Sequence, residues 1–208
     1  MSGSDVRAKT FLNSLSASTA AIAALQTTSG TAAMTLTAAA GTGAFHATDQ
    51  AAKVTLTSGG NISGVTITIT GTDIAGNALT EDIAGPNANT VTSTKFYDTI
   101  TSIAGDGSIG TNTSVGVAAG TTGGQAKINS ERTRLKGLHA TTGGTVGDMT
   151  FYNTSPISGT SLFSLTVATT TKDYIDPYIP DDGVLFDAGA YVDLPAGTAV
   201  SLTVFYDG

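Results

Sequence analysis

The side chains able to do chemistry in this chain are few, and most of them are oxygen donors. There is no cysteine, which excludes disulfides, thiolate metal sites and cysteine nucleophiles. His46 and His139 are the only imidazoles. They fall in different halves of the chain, so each reads as a surface or packing residue rather than half of a catalytic pair. Oxygen groups crowd Gly71–Asp82 (GTDIAGNALTED), where Asp73, Asn77, Glu81 and Asp82 surround a turn. Calcium favours such hard, flexible ligand sets, but the alternating carboxylates of an EF-hand loop are missing. Gly76-Asn77 between two strand-like runs is a hairpin signal, and a hairpin is the expectation. The densest acidic run is Asp173, Asp176, Asp181, Asp182 and Asp187. It has the oxygens for a metal, yet Pro180-Asp181-Asp182-Gly183 is a turn sequence in which aspartate mimics backbone through its side chain, so solvated carboxylates are expected. No glycine-rich phosphate loop opens a helix, no G-x-S-x-G elbow occurs, and nothing selects a glycosidase-type carboxylate pair. These residues predict a protein that is not an enzyme and takes no metal or cofactor.

Binding chemistry is better represented. Lys127, Arg132, Arg134 and Lys136 are 4 of the 9 basic residues. Arg132, Arg134 and Lys136 are spaced by two, so on a strand they would point the same way. Such a row is either an edge kept soluble by charge or a docking stripe for an acidic protein surface. Over residues 1–30, Val6, Phe11, Leu12 and Leu15 recur near helical spacing, and Ala20, Ala21, Ala23 and Ala24 are good helix formers. One or two short helices are expected there, or an extended arm that orders on a neighbour. The candidate partner contacts are therefore Val6, Phe11, Leu12, Leu15, Arg132, Arg134 and Lys136.

The elements that must position these groups are strands. Among 208 residues there are 26 glycines and 38 threonines, and only 12% of residues are charged. Threonine fits a pleated, half-exposed surface, and glycine supplies turns. A mean hydropathy of +0.15 with 40% hydrophobic residues argues against disorder. The net charge, 9 − 16 = −7, makes nucleic acid an unsuitable partner. The apolar patch Ala20–Leu25 is too short for a secretory signal, and no run approaches the ~18 apolar residues of a membrane span, so neither targeting segment nor membrane partner is expected.

After Gly30 the period becomes two. Val65, Ile67 and Ile69 alternate with Thr66, Thr68 and Thr70, as on a strand with one buried face. Further strands are expected at Ala52–Thr57, Leu79–Ile83, Val91–Tyr97, Ile100–Ile103 and Ser114–Val117. Ala118–Gln125 lacks apolar periodicity and reads as a junction. A second set follows at Thr133–His139, Asp148–Tyr152, Leu162–Val167, Asp173–Ile179, Val184–Phe186, Ala190–Leu194 and Val200–Tyr206. Phe163, Leu165 and Val167 should line one core face, and Val200, Leu202, Val204 and Tyr206 another. The expected fold is all-β: an arm over 1–30, then small β-sandwich domains over 31–120 and 126–208, immunoglobulin-like or jelly-roll-like.

Four segments, Gly64–Asp73 (GVTITITGTD), Gly76–Glu81 (GNALTE), Ile83–Pro86 (IAGP) and Thr90–Tyr97 (TVTSTKFY), together resemble a module common in structural proteins of tailed bacteriophages. Arg134–His139 (RLKGLH), Pro180–Phe186 (PDDGVLF) and Ala199–Tyr206 (AVSLTVFY) are similar to another phage-associated module. The resemblance implies a virion component: a capsid decoration (cement) protein on the head, a tail or adaptor part, or a fibre-type host-adhesion module. The chain is short for a fibre and carries neither coiled-coil heptads nor fibrous repeats, which turns the reading toward decoration. The partners then implied are the major capsid protein or other virion proteins and further copies of the chain, at the capsid surface.

Overall fold

The computed structural model of the chain describes residues 5–13, 16–38, 40–110, 112–118, 123–143, 147–156, 159–167, 172–197 and 200–208. The fold is all-β, and among the described residues the helical content is a single 3-10 turn at Ala40–Thr42. In chain order the strands are β1 (Arg7–Asn13), β2 (Ser18–Gln26), β3 (Gln50–Ser58), β4 (Thr66–Thr72), β5 (Ala78–Ala84), β6 (Thr90–Tyr97), β7 (Thr99–Gly105) and β8 (Thr113–Val117). They continue as β9 (Gly124–Asn129), β10 (Thr133–Gly143), β11 (Gly147–Tyr152), β12 (Ser161–Val167), β13 (Lys172–Ile175), β14 (Val184–Phe186), β15 (Ala190–Leu194) and β16 (Val200–Asp207). The chain divides into two compact units, Leu15–Ala119 and Met1–Ser14 joined with Gly120–Gly208.

In Leu15–Ala119, β6, β3, β8 and β2 pair in that order, and β4 lies between β5 and β7 in a three-stranded sheet. The Val/Ile–Thr alternation of β4 does what period two requires: Ile67 and Ile69 enter the core with Val54, Leu56, Ile100 and Ile103, while the threonines alternate with them. A charged clamp ties the two sheets together. β6 bulges opposite Val54, and there the Glu81 carboxylate of β5 accepts from the backbone N–H groups of Thr94 (2.7 Å) and Lys95 (3.2 Å). The Lys95 ammonium returns a hydrogen bond to the Thr80 carbonyl at 2.6 Å. The donors that a bulge leaves unpaired are thus met by a side chain from the facing sheet. At the other edge, a side chain at Gly116 of β8 would run into the Ser18 carbonyl, so glycine is what lets β2 lie that close.

In the second unit, β1, β16, β10 and β13 pair in order, with β14 on the other half of β10; β12, β11, β15 and β9 form the facing set. Phe11, Leu138, Leu202 and Val204 from the first set meet Phe151, Val192 and Ala126 from the second in one core. Phe163 and Leu165 are partly buried against it, and Phe163 stacks on Phe151 at 4.5 Å. The side chain of Val167 lies outside the described residues.

The reading of residues 1–30 as an arm is corrected. Its described residues hold no helix; β1 pairs along β16 in one unit and β2 along β8 in the other. Helix propensity is a weak prior that cross-strand partners override, and period two suits β1: Lys9 and Phe11 turn inward, Thr10 and Leu12 outward. Lys9 reaches across the open edge to the carbonyls of Lys127 (2.8 Å) and Ile128 (3.3 Å) on β9. Phe11, at 2% exposure, is a core residue. Replacing it with alanine should therefore cost about 3–5 kcal/mol in urea denaturation. Stability equal to the parent would show that β1 is not part of the fold.

Candidate interaction surface

The outward face of the β1–β16–β10–β13 sheet follows from the register. With Phe11, Leu202, Val204, Leu138 and Ala140 inside, their neighbours face out and align in rows across the strands: Leu12, Ser201, Thr141 and Tyr174; then Thr10, Thr203 and His139; then Ala8, Phe205 and Gly137. The Thr10 and Thr203 hydroxyls are 2.9 Å apart. The Phe205 ring lies over Gly137, where a Cβ would touch it at 3.6 Å. His139 and Tyr174 bring their rings to 5.8 Å. Tyr174 is 75% exposed, Leu12 54% and Phe205 40%. Across these rows the side chains are apolar, aromatic or hydroxyl, with the His139 imidazole among them. Exposed aromatics on a flat face are the usual anchors of a protein interface.

The basic residues flank this face. Arg134 sits opposite Asp207 on β16 and donates to the Asp182 carbonyl at 3.0 Å, and Lys136 donates to the Asp181 carbonyl at 2.9 Å. Both fasten the Pro180–Gly183 turn, which Gly183 N–H closes on the Pro180 carbonyl at 2.7 Å with φ +74° at the glycine. Arg132 is exposed just before β10, and buried Thr133 and Leu135 alternate with Arg132, Arg134 and Lys136, while β10 bulges between Leu135 and Gly137. Val6 is exposed just before β1, Phe11 is withdrawn as a partner contact by its burial, and Leu15 lies outside the described residues. Sequence reading missed Tyr174, Tyr178 and Phe205. Phe205 had a signal, since the inward assignment of Val204 and Tyr206 sends the residue between them outward.

The oxygen-rich segments resolve as turns. Asp73 is buried in the β4–β5 hairpin, with its carboxylate taking the N–H groups of Ala75 (2.9 Å) and Asn77 (2.8 Å) and the Asn77 amide (3.0 Å). Asp176, Asp181, Asp182 and Asp187 are exposed, and the Asp173 side chain lies outside the described residues. Among the described residues, no group of three or more His, Cys, Asp or Glu is placed to hold a metal ion. Among the described residues, no helix is long and apolar enough to cross a membrane.

A polar row crosses the facing set of strands, running from exposed Ser164 to buried Gln125. Ser164, Thr150, Asp193 and Gln125 are cross-strand neighbours on β12, β11, β15 and β9. The Thr150 and Ser164 hydroxyls are 2.8 Å apart, and Tyr152 and Gln125 hydrogen-bond the Asp193 side chain. Burial pushes the Asp193 carboxyl above the usual carboxylate range, against the pull of those two bonds. Burial and then the Asp193 charge push the Tyr152 phenol up. Asp193 Oδ1 and Gln125 Oε1 are buried acceptors without a donor. This row can hold a proton: protonated Asp193 becomes a donor where two acceptors lack one.

The pH dependence has a definite sign. A carboxyl raised in the folded state contributes stability that is fully present below the ordinary carboxylate value of ~3.9 and is lost as pH rises through the raised folded value. Asp193→Asn should thus be more stable than the parent at neutral pH in thermal denaturation, with the advantage vanishing in acid. A variant less stable at neutral pH with an unchanged pH profile would contradict this. No protein-family model, no curated protein and no solved structure matches the chain.

Proposed function

We propose that this protein is a non-enzymatic structural component of a tailed-phage virion, a capsid decoration or cement protein that attaches to the assembled shell. The resemblance of the Gly64–Tyr97 and Arg134–Tyr206 segments to phage modules supplies the class. The observation that carries the mode of attachment is the outward β1–β16–β10–β13 face, where Leu12, Tyr174 and Phe205 are exposed together. Covering apolar area is worth about 25 cal/mol per Å², so three such side chains give a partner a reason to dock there. Arg132, Arg134 and Lys136 at the flank favour an acidic surface and steer its approach. A decoration protein works by mass action: binding assembled subunits but not dispersed ones draws the equilibrium toward the shell, and many copies multiply a modest energy per site.

The test is attachment of purified protein to undecorated shells of the phage that encodes it, followed by cosedimentation and by cryo-electron microscopy for location. Combining Tyr174→Ala with Phe205→Ala should weaken attachment about tenfold or more, which corresponds to ~1.4 kcal/mol. Replacing Arg132, Arg134 and Lys136 by glutamine should slow attachment and flatten its salt dependence, since such charges are screened within about 8 Å at physiological ionic strength. Attachment and salt slope identical to the parent in both variants would overturn the docking face. Failure of the parent protein to join any shell would overturn decoration itself.

A further inference from the structure

An open sheet edge offers unpaired backbone N–H and C=O groups to another chain, and proteins blunt such edges with charge, brevity or cover. In the Leu15–Ala119 unit, β2 is covered by the 35–37 segment. Thr37 N–H donates to the Ile22 carbonyl at 2.9 Å, and the Gln26 carboxamide exchanges two hydrogen bonds with the Thr35 backbone, at 2.7 and 2.8 Å. The Ile103 carbonyl of β7 accepts from Met34 N–H at 2.8 Å. β5 carries Glu81 and Asp82, and β6 carries Lys95. In the other unit, β1 carries Arg7 and Lys9, β13 is four residues long with Lys172 and Asp173 among them, and β14 is three residues long. β12 has none of these guards. It runs for seven residues, Ser161–Val167 (SLFSLTV), with neither charge nor proline, and among the described residues β11 is its one strand partner.

We propose that β12 pairs antiparallel with β12 of a second copy about a two-fold axis at Ser164, joining the β12–β11–β15–β9 sets of the two copies into one sheet. An added strand binds an edge through main-chain hydrogen bonds, and its alternate side chains decide the fit. With Ser164 opposite its own counterpart, Phe163 falls opposite Leu165 and Leu162 opposite Thr166. β12 meets its own requirement on both faces. On the inner face Phe163 and Leu165 are only partly buried against the core, with the Phe163 ring stacked on Phe151 at 4.5 Å and 6.5 Å from Phe186. In the pair each gains the other as a cross-strand neighbour, aromatic against aliphatic. On the outer face Leu162, 41% exposed, gains a threonine, and exposed Ser164 meets a second hydroxyl. No like charges meet across the axis. The contact is isologous, so it uses up both free edges and closes at two copies instead of growing into a fibre. A chain that closes an edge in this way has no need to guard it with charge. The pairing requires no shell and stands apart from the mode of attachment.

The experiment follows the mass of the full 20.7 kDa chain in solution by light scattering and sedimentation. From about 1 μM to 1 mM the parent should pass from monomer to twice that mass. Over the same range, amide exchange of residues 162–166 should slow by about tenfold while that of β16 does not change. Ser164→Lys sets two ammonium groups opposite each other and should raise the dissociation constant about tenfold or more, with thermal stability kept because Ser164 is exposed. Mixing Ser164→Lys with Ser164→Glu should restore the dimer as a mixed pair, since only then do opposite charges meet at the axis. A parent that stays monomeric throughout, exchange over 162–166 that is independent of concentration, or a dimer that Ser164→Lys leaves unweakened overturns the pairing. The first two readings come from the parent protein, so poor folding of a variant cannot obscure them.

Discussion

The pairing of the first strand with the last governs what the Met1–Ser14 and Gly120–Gly208 unit can do. Arg7–Asn13 runs antiparallel to Val200–Asp207 from end to end, and Thr10 meets Thr203 across 193 positions of chain. Side chains alternate along a strand, so register decides everything on both faces. With Phe11 in the core, Leu12 must be outside, and Phe205 and Tyr174 join it on that face. A slip of one residue would bury Leu12 and expose Phe11. Closing so long a loop costs little more than a shorter one, because the entropic penalty grows only with the logarithm of length. Folding speed is where the separation weighs, since non-local pairs must wait for closure.

Both units use charged side chains to finish what their strands leave open. Lys9 donates across the sheets to carbonyls on β9, and Glu81 accepts from the N–H groups that the β6 bulge strands. Hydrogen bonds to a charged group are stronger than neutral ones, which suits a chain with few charges to spend on the surface. Two ionisable groups instead sit secluded from water. Asp193 is pushed toward its neutral form by burial, whereas His46 faces acceptors at both ring nitrogens.

Much of the strand pattern was legible because threonine and branched aliphatics alternate strictly, as in β4 and β16. Residues 1–30 were misread because alanines and the spacing of Val6, Phe11 and Leu12 satisfy a helical template as well as an extended one. Nothing local reveals that β16 offers a partner. β2 hides its nature further, since its register with β8 shifts twice and consecutive Ile22 and Ala23 are both buried. Of the interaction face, the basic half was visible as a cluster, and the aromatic half was readable only from the parity of Val204 and Tyr206. That Arg134 and Lys136 reach the Asp182 and Asp181 carbonyls depends on β14 pairing with β10, which no spacing encodes. The Asp193 row draws on β9, β11, β12 and β15, and only the sheet register assembles it.

Native-state amide exchange of residues 7–13 tests the first-to-last pairing most directly. If β1 is an integral strand, its amides bonded to β16 exchange as slowly as those between β16 and β10, through opening of the whole unit. If residues 7–13 exchange at free-chain rates while 200–207 remain protected, β1 is an arm after all. The outward face would then lose the strand that sets it.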